Sequence, residues 1–325
     1  MPSDHATVHA VPELQPGSAR KVWLAVGDDG WARMPLIIVR GAHPGPRVLV
    51  LAGQHGDEGY GMLAVQRVMG DLDPTALRGT VIAAPCLNVH AWCHGTRAGP
   101  FDGTDMNRVH PGDRGGTATQ QLAAVLHDVL VPGADLVVDV HGGSAELGDI
   151  AFATLVRGAD PDAAEVFEAA LGVPRMLETG DPAAAPTGRF SDHSGATRLG
   201  ILGIEACSVR ATTTANVDEM AGYVRRALIA GGSLLASESD AVTPRPPERI
   251  RTVGVRSSAF GLFVATVDFS DVVSHGQHLG VVVDLFGDEV QRIEAPADGV
   301  VLVLRTGVWT RPGHLLVSIG SPAHA

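Results

Sequence analysis

The stretch PRVLVLAGQHGDEGYGMLAVQRVMGDL, Pro46–Leu72, contains the pattern that decides the fold. Its first eight residues read as a buried strand, and its last fourteen place apolar residues near helical spacing. The two are joined through GQHGDEG, Gly53–Gly59, a short turn with one histidine, two acids and three glycines. A strand that passes through a turn into a helix is the repeating unit of a parallel sheet, and functional groups gather beyond the carboxyl ends of such strands.

The same alternation continues on both sides of this stretch. Strands are predicted for KVWLAV, MPLIIVRG, TVIAAP, DLVVDVHGG and GILGIEAC, and helices for TATQQLAAVLHDVL, PDAAEVFEAALG and VDEMAGYVRRALIAGGSLLA. This order predicts an α/β domain over residues 1–242, with a largely parallel sheet covered by helices.

The end of the chain has a different pattern. SESDAVTPRPPERIR is polar and rich in proline, so we predict a linker over residues 243–252. Beyond it only strand-like runs occur: GLFVATVD, LGVVVDLFG, GVVLVLR and HLLVSIG, split by short turns. We expect a small all-β domain over residues 253–325.

Composition argues against several classes of function. The chain has 325 residues and a formal net charge of −12, and Lys21 is its only lysine, so the clustered cations of a nucleic-acid groove are not expected. No run reaches the roughly 20 apolar residues of a membrane helix. The first residues show no basic segment followed by an apolar one, so we expect a cytoplasmic protein without nucleic-acid or membrane partners.

Cys86, Cys93 and Cys207 form an odd set without CxxC, which indicates neither a disulfide framework nor a thiolate zinc site.

His55 and Glu58, in the turn GQHGDEG, are candidate metal ligands. Catalytic zinc typically takes three protein ligands, often two histidines and a glutamate. Residues three apart where a loop enters a helix can converge on one ion. However, the helix dipole also favours an acid at a helix start, and the pair taken alone favours this structural explanation. His141, at the end of the strand DLVVDVH, supplies a third candidate ligand, and Asp139 on the same strand face could orient a histidine ring.

Two further segments hold candidate functional groups. In RAGPFDGTDMNRVHPG, Arg97–Gly112, Asn107 and Arg108 either clamp a small acidic group or belong to a solvated loop held by Asx turns. Glu205 is a lone acid in an apolar strand, where an unpaired charge is costly. It is either half of a salt bridge, with Arg210 as the candidate partner, or the general base for a metal-activated water. Four other histidines lie in predicted polar loops, where we expect them to be surface groups or groups that support the ligands rather than ligands themselves: His90, His94, His110 and His193.

Four of these motifs, GQHGDEG, DGTDMNRVHPG, DVHGG and GIEAC, occur in this order and precede a β-only tail. With them the chain resembles the succinylglutamate desuccinylase and aspartoacylase family, relatives of the zinc carboxypeptidases, from about Lys21 to Gly320. The resemblance implies a carboxypeptidase-like mixed sheet with helices on both faces, followed by a barrel-sandwich-like module. With a single lysine far from the module, lipoyl or biotinyl attachment is excluded.

The resemblance also implies the roles of the site residues. One zinc ion per chain would be held by His55, Glu58 and His141. Asn107 and Arg108 would bind the substrate carboxylate, Arg97 would stabilise the oxyanion, Asp105 would support a zinc-bound histidine, and Glu205 would be the catalytic glutamate. The chain departs from the family pattern at His110, where an aromatic residue is common, and in ACSVR after Glu205, where glycines are common.

These expectations combine into a zinc-dependent amidohydrolase, a deacylase that cleaves the amide of a small N-acyl amino acid or a related compound. Two alternatives stay open: a zinc carboxypeptidase acting on short peptides, and a non-catalytic binding protein that keeps the fold. A β module near the cleft argues mildly for small substrates. The sequence leaves open the acyl group, the amine and whether the chain forms a homo-oligomer.

Overall fold

The computed structural model describes residues 5–27, 30–144, 146–157, 167–178, 188–192, 200–205, 213–237 and 245–323. The helices within these ranges are α1 (Gly59–Asp71), α2 (Val89–His94), α3 (Ala118–Val125) and α4 (Thr214–Ala230), with helical residues also at 167–171. A π-helical turn, Leu126–Leu130, extends α3, and Met106–Arg108 form one 3₁₀ turn. None of the described helices is both long and apolar enough to cross a membrane.

The strands fall into an earlier and a later group. The earlier group is β1 (Thr7–Val8), β2 (Ser18–Val26), β3 (Ala32–Arg40), β4 (His43–Ala52), β5 (Arg78–Ala84), β6 (Leu136–His141), β7 (Leu147–Asp149), β8 (Phe152–Arg157), β9 (Arg175–Leu177) and β10 (Gly200–Glu205). The later group is β11 (Glu248–Arg256), β12 (Gly261–Ala265), β13 (Val272–Val273), β14 (His278–Val283), β15 (Glu289–Glu294), β16 (Gly299–Arg305), β17 (Trp309–Thr310) and β18 (Leu315–Pro322).

A large mixed sheet runs through the molecule in the order β1-β2-β3-β5-β4-β6-β10-β8-β9-β11-β18-β16-β13, with β7 paired to β16. Its centre is parallel, because β4 pairs in parallel with β5 and β6, and β6 with β10. On either side β3 and β8 run antiparallel to their inner neighbours. The fold is therefore mixed α/β, as the resemblance implied, and the parallel pairing predicted from the alternation holds for the central strands β5, β4, β6 and β10.

Both faces of strand β4 are buried. Val48 and Val50 belong to one core with residues of α1 and α4, whereas Leu49 and Leu51 belong to a second core with residues of α3 and the π-helical turn. A strand covered on both faces needs apolar residues at every position, which explains the run VLVLA. Helices therefore pack on both sides of the central strands and leave the strand ends free for polar groups.

The later strands extend the large sheet and also form a second one. β11 pairs with β9 and β18, so the sheet continues across residues 248–256. The first part of this strand, residues 248–252, is the second half of the stretch predicted as a linker. The second sheet has the order β15-β14-β12-β17. Apolar side chains between the two sheets form a core of their own, which includes Phe263, Leu279 and Ile319. A second, all-β layer at the end of the chain agrees in part with the predicted small module.

Candidate metal centre and its cavity

Three neighbouring parallel strands bring the predicted site residues to one edge of the sheet. His55 follows the end of β4, His141 is the last residue of β6 and Glu205 the last residue of β10. In the register of β6 and β10, Glu205 lies directly beside His141. The side chain of Glu205 and the segment ACSVR, with Arg210, lie outside the described residues, as does His193.

The turn GQHGDEG is tight for a steric reason. Gly53 has a φ of +66°, in the left-handed region, and a Cβ on Gly56 would lie 2.0 Å from the backbone of Ala91. The turn therefore passes close under α2 and places Glu58 at the N-cap position of α1. Within the described residues the Glu58 side chain makes no capping hydrogen bond, and its carboxylate is bonded to histidines. Capping the helix therefore does not account for the acid at this position.

His55, Glu58 and His141 form a compact buried group, which we call the metal group after its candidate role. Each offers one ligand atom within 4.8 Å of the others. Nδ1 of His55 lies 2.7 Å from Oε1 of Glu58, and Nδ1 of His141 lies 2.9 Å from Oε2 of the same carboxylate. The three residues are 1%, 4% and 5% exposed. Two imidazole nitrogens and a carboxylate oxygen at this spacing could bind a metal ion.

The outer nitrogen of each imidazole also faces a carboxylate. Nε2 of His55 lies 3.0 Å from Oδ1 of Asp105, and Nε2 of His141 lies 3.1 Å from Oδ2 of Asp139. A neutral imidazole has one N–H, so it can donate to only one of its two carboxylates. If Nε2–H donates outward, both Nδ1 lone pairs face Glu58 and need a cation between them. These residues therefore fit a metal ion, and Asp105 and Asp139 lie where they could orient the two rings.

The charges in this group support one another. Burial by itself raises the pKa of the Glu58 carboxyl, but His55 and His141 outweigh burial and hold that pKa well below its ordinary value. Burial also opposes ionisation of Asp105, yet His55 and Arg97 keep the pKa of Asp105 far below its usual range. For His55, burial lowers the pKa, but Glu58 and Asp105 together raise it. The carboxyl groups of Glu58 and Asp105 are therefore ionised. Their negative charge favours a positive charge at the neighbouring imidazole of His55.

Arg97 connects the candidate ligand Glu58 to the acid behind His55. Its Nη1 donates to Oε1 of Glu58 at 3.0 Å, and its Nε donates to Oδ2 of Asp105 at 3.1 Å. The side chain remains 40% exposed and lines the cavity above the metal group. A planar guanidinium in this position can hold two carboxylates in place and still present donors to the cavity.

The loop Arg97–Gly112 is held by Asx turns and also lines the cavity. Asp105 accepts a bond from the backbone N–H of Asn107 at 2.9 Å, and Asp102 accepts one from that of Thr104 at 3.0 Å. Oδ1 of Asn107 accepts from the backbone N–H of Phe190 at 2.8 Å, which leaves the amide N–H groups as the part that can contact a ligand. Arg108 is exposed and faces the same cavity.

A cavity of about 960 Å³ opens above the metal group. Sequence reasoning did not indicate several polar residues that line it, namely Asp149, Glu178, Arg189, Arg251, Thr252 and Arg256. They come from segments far apart in the chain, so no motif spacing could have revealed them. Partial loss of water around its guanidinium, together with the charges of Arg189, Arg97 and Arg256, lowers the pKa of Arg108, although Asp105 acts in the opposite sense. Guanidinium groups therefore lie near one another in the part of the cavity around Arg108, although carboxylates such as Glu178 also line the cavity.

The assignment of histidines to polar loops needs correction. His90 and His94 lie on α2, a helix of six residues that Asn88 caps by accepting from the backbone N–H of Ala91 at 3.0 Å. So short a helix shows no apolar periodicity, which is why the sequence resembled a loop. His110 follows the 3₁₀ turn but is only 6% exposed. Its ring packs against Phe190, so it belongs to the core.

Comparison with known proteins identifies the family. The family model for the succinylglutamate desuccinylase/aspartoacylase catalytic domain matches residues 44–229. The N-alpha-acetyl-L-2,4-diaminobutyric acid deacetylase of Halomonas elongata is 31% identical over 287 residues, which cover 85% of this chain and 82% of that protein.

Solved structures show the same fold. The ectoine utilization protein EutE (DoeB) of Ruegeria pomeroyi superposes with a TM-score of 0.81 at 23% identity, over 95% of this chain and 97% of its own. A succinylglutamate desuccinylase/aspartoacylase of Rhodobacter sphaeroides gives a TM-score of 0.79 at 22% identity, over 98% of this chain and 100% of its own. As its motifs predicted, the chain belongs to the succinylglutamate desuccinylase/aspartoacylase family.

Proposed function

We propose that this chain is a zinc-dependent amidohydrolase that removes the acyl group from a small N-acyl amino acid or a related compound. The observation that carries this proposal is a pair of buried histidines whose Nε2 atoms face carboxylates while both Nδ1 atoms face Glu58. His55, Glu58 and His141 would hold one zinc ion. When bound there, zinc would polarise the acyl carbonyl and lower the pKa of a water molecule.

The remaining groups of the site would position the substrate and move protons. Glu205, whose backbone lies beside His141, is the proposed general base; it takes the proton of the attacking water and passes it to the leaving amine. Arg97 would donate to the developing oxyanion through guanidinium N–H groups that face the cavity. Asp105 and Asp139 would keep the two imidazole rings in the orientation that points Nδ1 inward.

The substrate class follows from the shape and charge of the cavity. About 960 Å³ is within the range of roughly 300–1,000 Å³ that is usual for small-molecule sites. Residues of β11, β16 and β18 form part of its wall, which favours a small substrate over a peptide chain. Asn107 and Arg108 would bind a carboxylate. The name of the Halomonas relative supports an N-acetylated amino acid as the first compound to test.

We also propose that the predicted division of the chain holds, with residues 1–242 as the catalytic domain and residues 253–325 as a barrel-sandwich-like module. The separate core of the later strands and their second sheet support this. Because β11 continues the large sheet, the module would be rigidly joined to the catalytic domain rather than tethered. Such a joint suits a module whose residues line the cavity.

Metal analysis and a substrate screen test the proposed function. We expect about one zinc ion per chain and hydrolysis of N-acyl amino acids that a chelator abolishes and added zinc restores. Glu205→Gln should keep its zinc and lose turnover, because only the proton acceptor is removed. Release of C-terminal residues from short peptides would instead indicate a carboxypeptidase. Ligand-dependent stabilisation without turnover of any compound would indicate a binding protein.

A further inference from the structure

A series of hydrogen bonds, buried except for the last, leads away from His141 on the side opposite Glu58. Nε2 of His141 and Nε2 of Gln54 both approach Oδ2 of Asp139, at 3.1 and 2.7 Å. Oε1 of Gln54 lies 2.9 Å from Nε2 of His110, and Nδ1 of His110 lies 3.1 Å from Nε2 of His127. We call Gln54, His110 and His127 the support network.

The support network has one consistent hydrogen-bond direction. The amide nitrogen of Gln54 can only donate, so Oδ2 of Asp139 accepts from it, and Oε1 of Gln54 must then accept from Nε2–H of His110. A neutral His110 with its proton on Nε2 accepts at Nδ1, so His127 donates to it. Each residue of the network thus donates in the direction of Asp139. The carboxylate of Asp139 can only accept, so it accepts from Gln54 and also from Nε2–H of His141. The network therefore favours the tautomer of His141 whose Nδ1 carries no proton.

Packing alone does not explain these residues. Gln54 and His110 are 1% and 6% exposed, and the rings of His110 and His127 pack against the fully buried Phe190. Apolar side chains of similar size would fill such positions without removing polar atoms from water. Because each polar atom described here is satisfied by the next residue in the series, the orientation of every member depends on its neighbours.

We propose that the support network positions the metal centre: Gln54, with His110 and His127 behind it, holds Asp139 so that His141 keeps its proton on Nε2 and turns Nδ1 toward Glu58. These three are positioning residues, since they act on the site through Asp139 and do not touch the substrate. The proposal rests on the proposed function only in naming zinc as the ion that Nδ1 would meet.

Two variants and a matched control test this role. His110→Phe keeps a ring against Phe190 but removes the bonds to Gln54 and His127. Gln54→Met keeps the length of the side chain but removes the contacts with Asp139 and His110. The control is His90→Phe, which replaces a histidine ring packed against Trp31 and Phe101, with centroids 5.5 and 4.9 Å apart, and outside the support network as described.

Zinc affinity is measured by competition with a chromophoric chelator. The constants kcat and KM are measured at saturating zinc with the best substrate of the screen. Gln54→Met should lower zinc affinity about tenfold, the lower end of the effect typical of partners behind a ligand, because it acts through Asp139. His110→Phe should lower it less, in the same direction. In both, kcat should fall while KM stays unchanged. Wild-type zinc affinity and kcat in either variant that folds, or equal losses in His90→Phe, would overturn the proposal.

The tautomer of His110 is a second readout that needs neither zinc nor substrate. In the metal-free wild-type protein, ¹⁵N NMR shifts should place the ring proton of His110 on Nε2; a proton on Nδ1 would overturn the proposed direction of the network. This measurement also separates the two proposals. A wild-type protein that takes up no zinc would contradict the proposed function, whereas the tautomer would still be measurable.

Discussion

The two ends of the cavity are built in different ways. At the metal end, His55, Glu58 and His141 are at most 5% exposed, and each is hydrogen-bonded on two sides. At the cationic end, Arg108, Arg189 and Arg256 are exposed side chains on a 3₁₀ turn, a loop and a strand. Groups that are already ordered lose little freedom when a ligand arrives, whereas exposed arginines must be ordered by it. We infer that the metal end controls the rate and the cationic end controls the affinity.

Glu58→Gln is expected to have the largest effect. It keeps the shape of the side chain but removes the charge that both Nδ1 atoms face, so zinc uptake and hydrolysis should both be lost. With free zinc at about 100 times Kd, the wild type should gain about 2.7 kcal/mol in the free energy of unfolding, and the variant none. Calorimetry with and without zinc measures this.

A suitable control for Glu58→Gln is Glu168→Gln. Glu168 is a buried acid hydrogen-bonded to Arg249 and does not line the cavity. This variant should keep the zinc-dependent gain in stability, even if its metal-free stability falls. A Glu58→Gln protein that still bound stoichiometric zinc would remove Glu58 from the ligand set and weaken the contrast between the two ends.

Arg97→Ala tests the residue that spans the two ends. Loss of one oxyanion donor typically lowers kcat about 100- to 1,000-fold, or about 2.7–4 kcal/mol. Because Arg97 also bonds to Glu58 and Asp105, rates should be compared at saturating zinc. The control is Arg67→Ala, which breaks an exposed ion pair with Asp218 and should leave kcat unchanged. An Arg97→Ala enzyme with wild-type kcat would rule out the oxyanion role.

The sequence indicated the three residues that meet at the metal end and Arg108 at the cationic end, but it did not indicate Arg189 or Arg256. Each candidate ligand lies in a local motif at the end of a predicted strand, and adjacent parallel strands bring such ends together. What the sequence could not decide is whether Glu58 serves the helix or the histidines, because both uses favour an acid at that position. Only the side-chain contacts separate them.

Arg189 and Arg256 reach the cationic end through topology that no local pattern encodes. β8 and β9 stand between β10 and β11 in the sheet, and this order brings Arg256 to a cavity that begins at His55. The support network escaped prediction for a related reason. His110 and Gln54 are 56 positions apart and meet only after the loop Arg97–Gly112 has folded over the strand ends.

Arg108→Gln is expected to raise KM and leave kcat nearly unchanged. A hydrogen bond to a charged group is worth about 1.5–3 kcal/mol, so KM should rise about 10- to 100-fold if Arg108 binds the substrate carboxylate. Steady-state kinetics measure both constants, and an amidated substrate without that carboxylate should be hydrolysed equally by both proteins. A fall in kcat with unchanged KM would assign Arg108 to the reaction itself and contradict the division of roles.

Lowering the pH is expected to weaken zinc binding at the metal end. Glu58 and Asp105 raise the pKa of His55 against the effect of burial. In the metal-free protein, the proton on His55 therefore adds stability at pH values below the pKa that His55 has in the unfolded chain. That added stability is lost as the pH rises through the raised pKa of His55 in the folded protein. Zinc competes with that proton, so its affinity should fall about tenfold per pH unit for each proton displaced as the pH drops through the raised value.

Zinc titrations at a series of pH values between about 8 and about 5.5 span the ordinary pKa of histidine, about 6.5. Proton release on zinc binding, measured by calorimetry in buffers of different ionisation enthalpy, gives an independent count. A zinc affinity that stayed constant across this range would mean that the ion does not displace histidine protons, and His55 and His141 would not be its ligands.

Arg256→Gln has the smallest expected effect and tests the cationic end most closely. Arg256 is exposed, and its Nη1 donates to the carbonyl of Gly313 at 2.8 Å. We therefore expect it to attract the substrate through its charge rather than through a direct hydrogen bond. Exposed charge interactions are weak, so KM should rise at most about fivefold. The rise should shrink as salt is added. Arg292→Gln, an exposed arginine outside the cavity lining and paired with Glu294 at 3.5 Å, should leave KM unchanged. A salt-independent rise in KM as large as that of Arg108→Gln would mean that Arg256 contacts the substrate directly. The side chains of the cationic end would then be as well ordered before binding as those of the metal end.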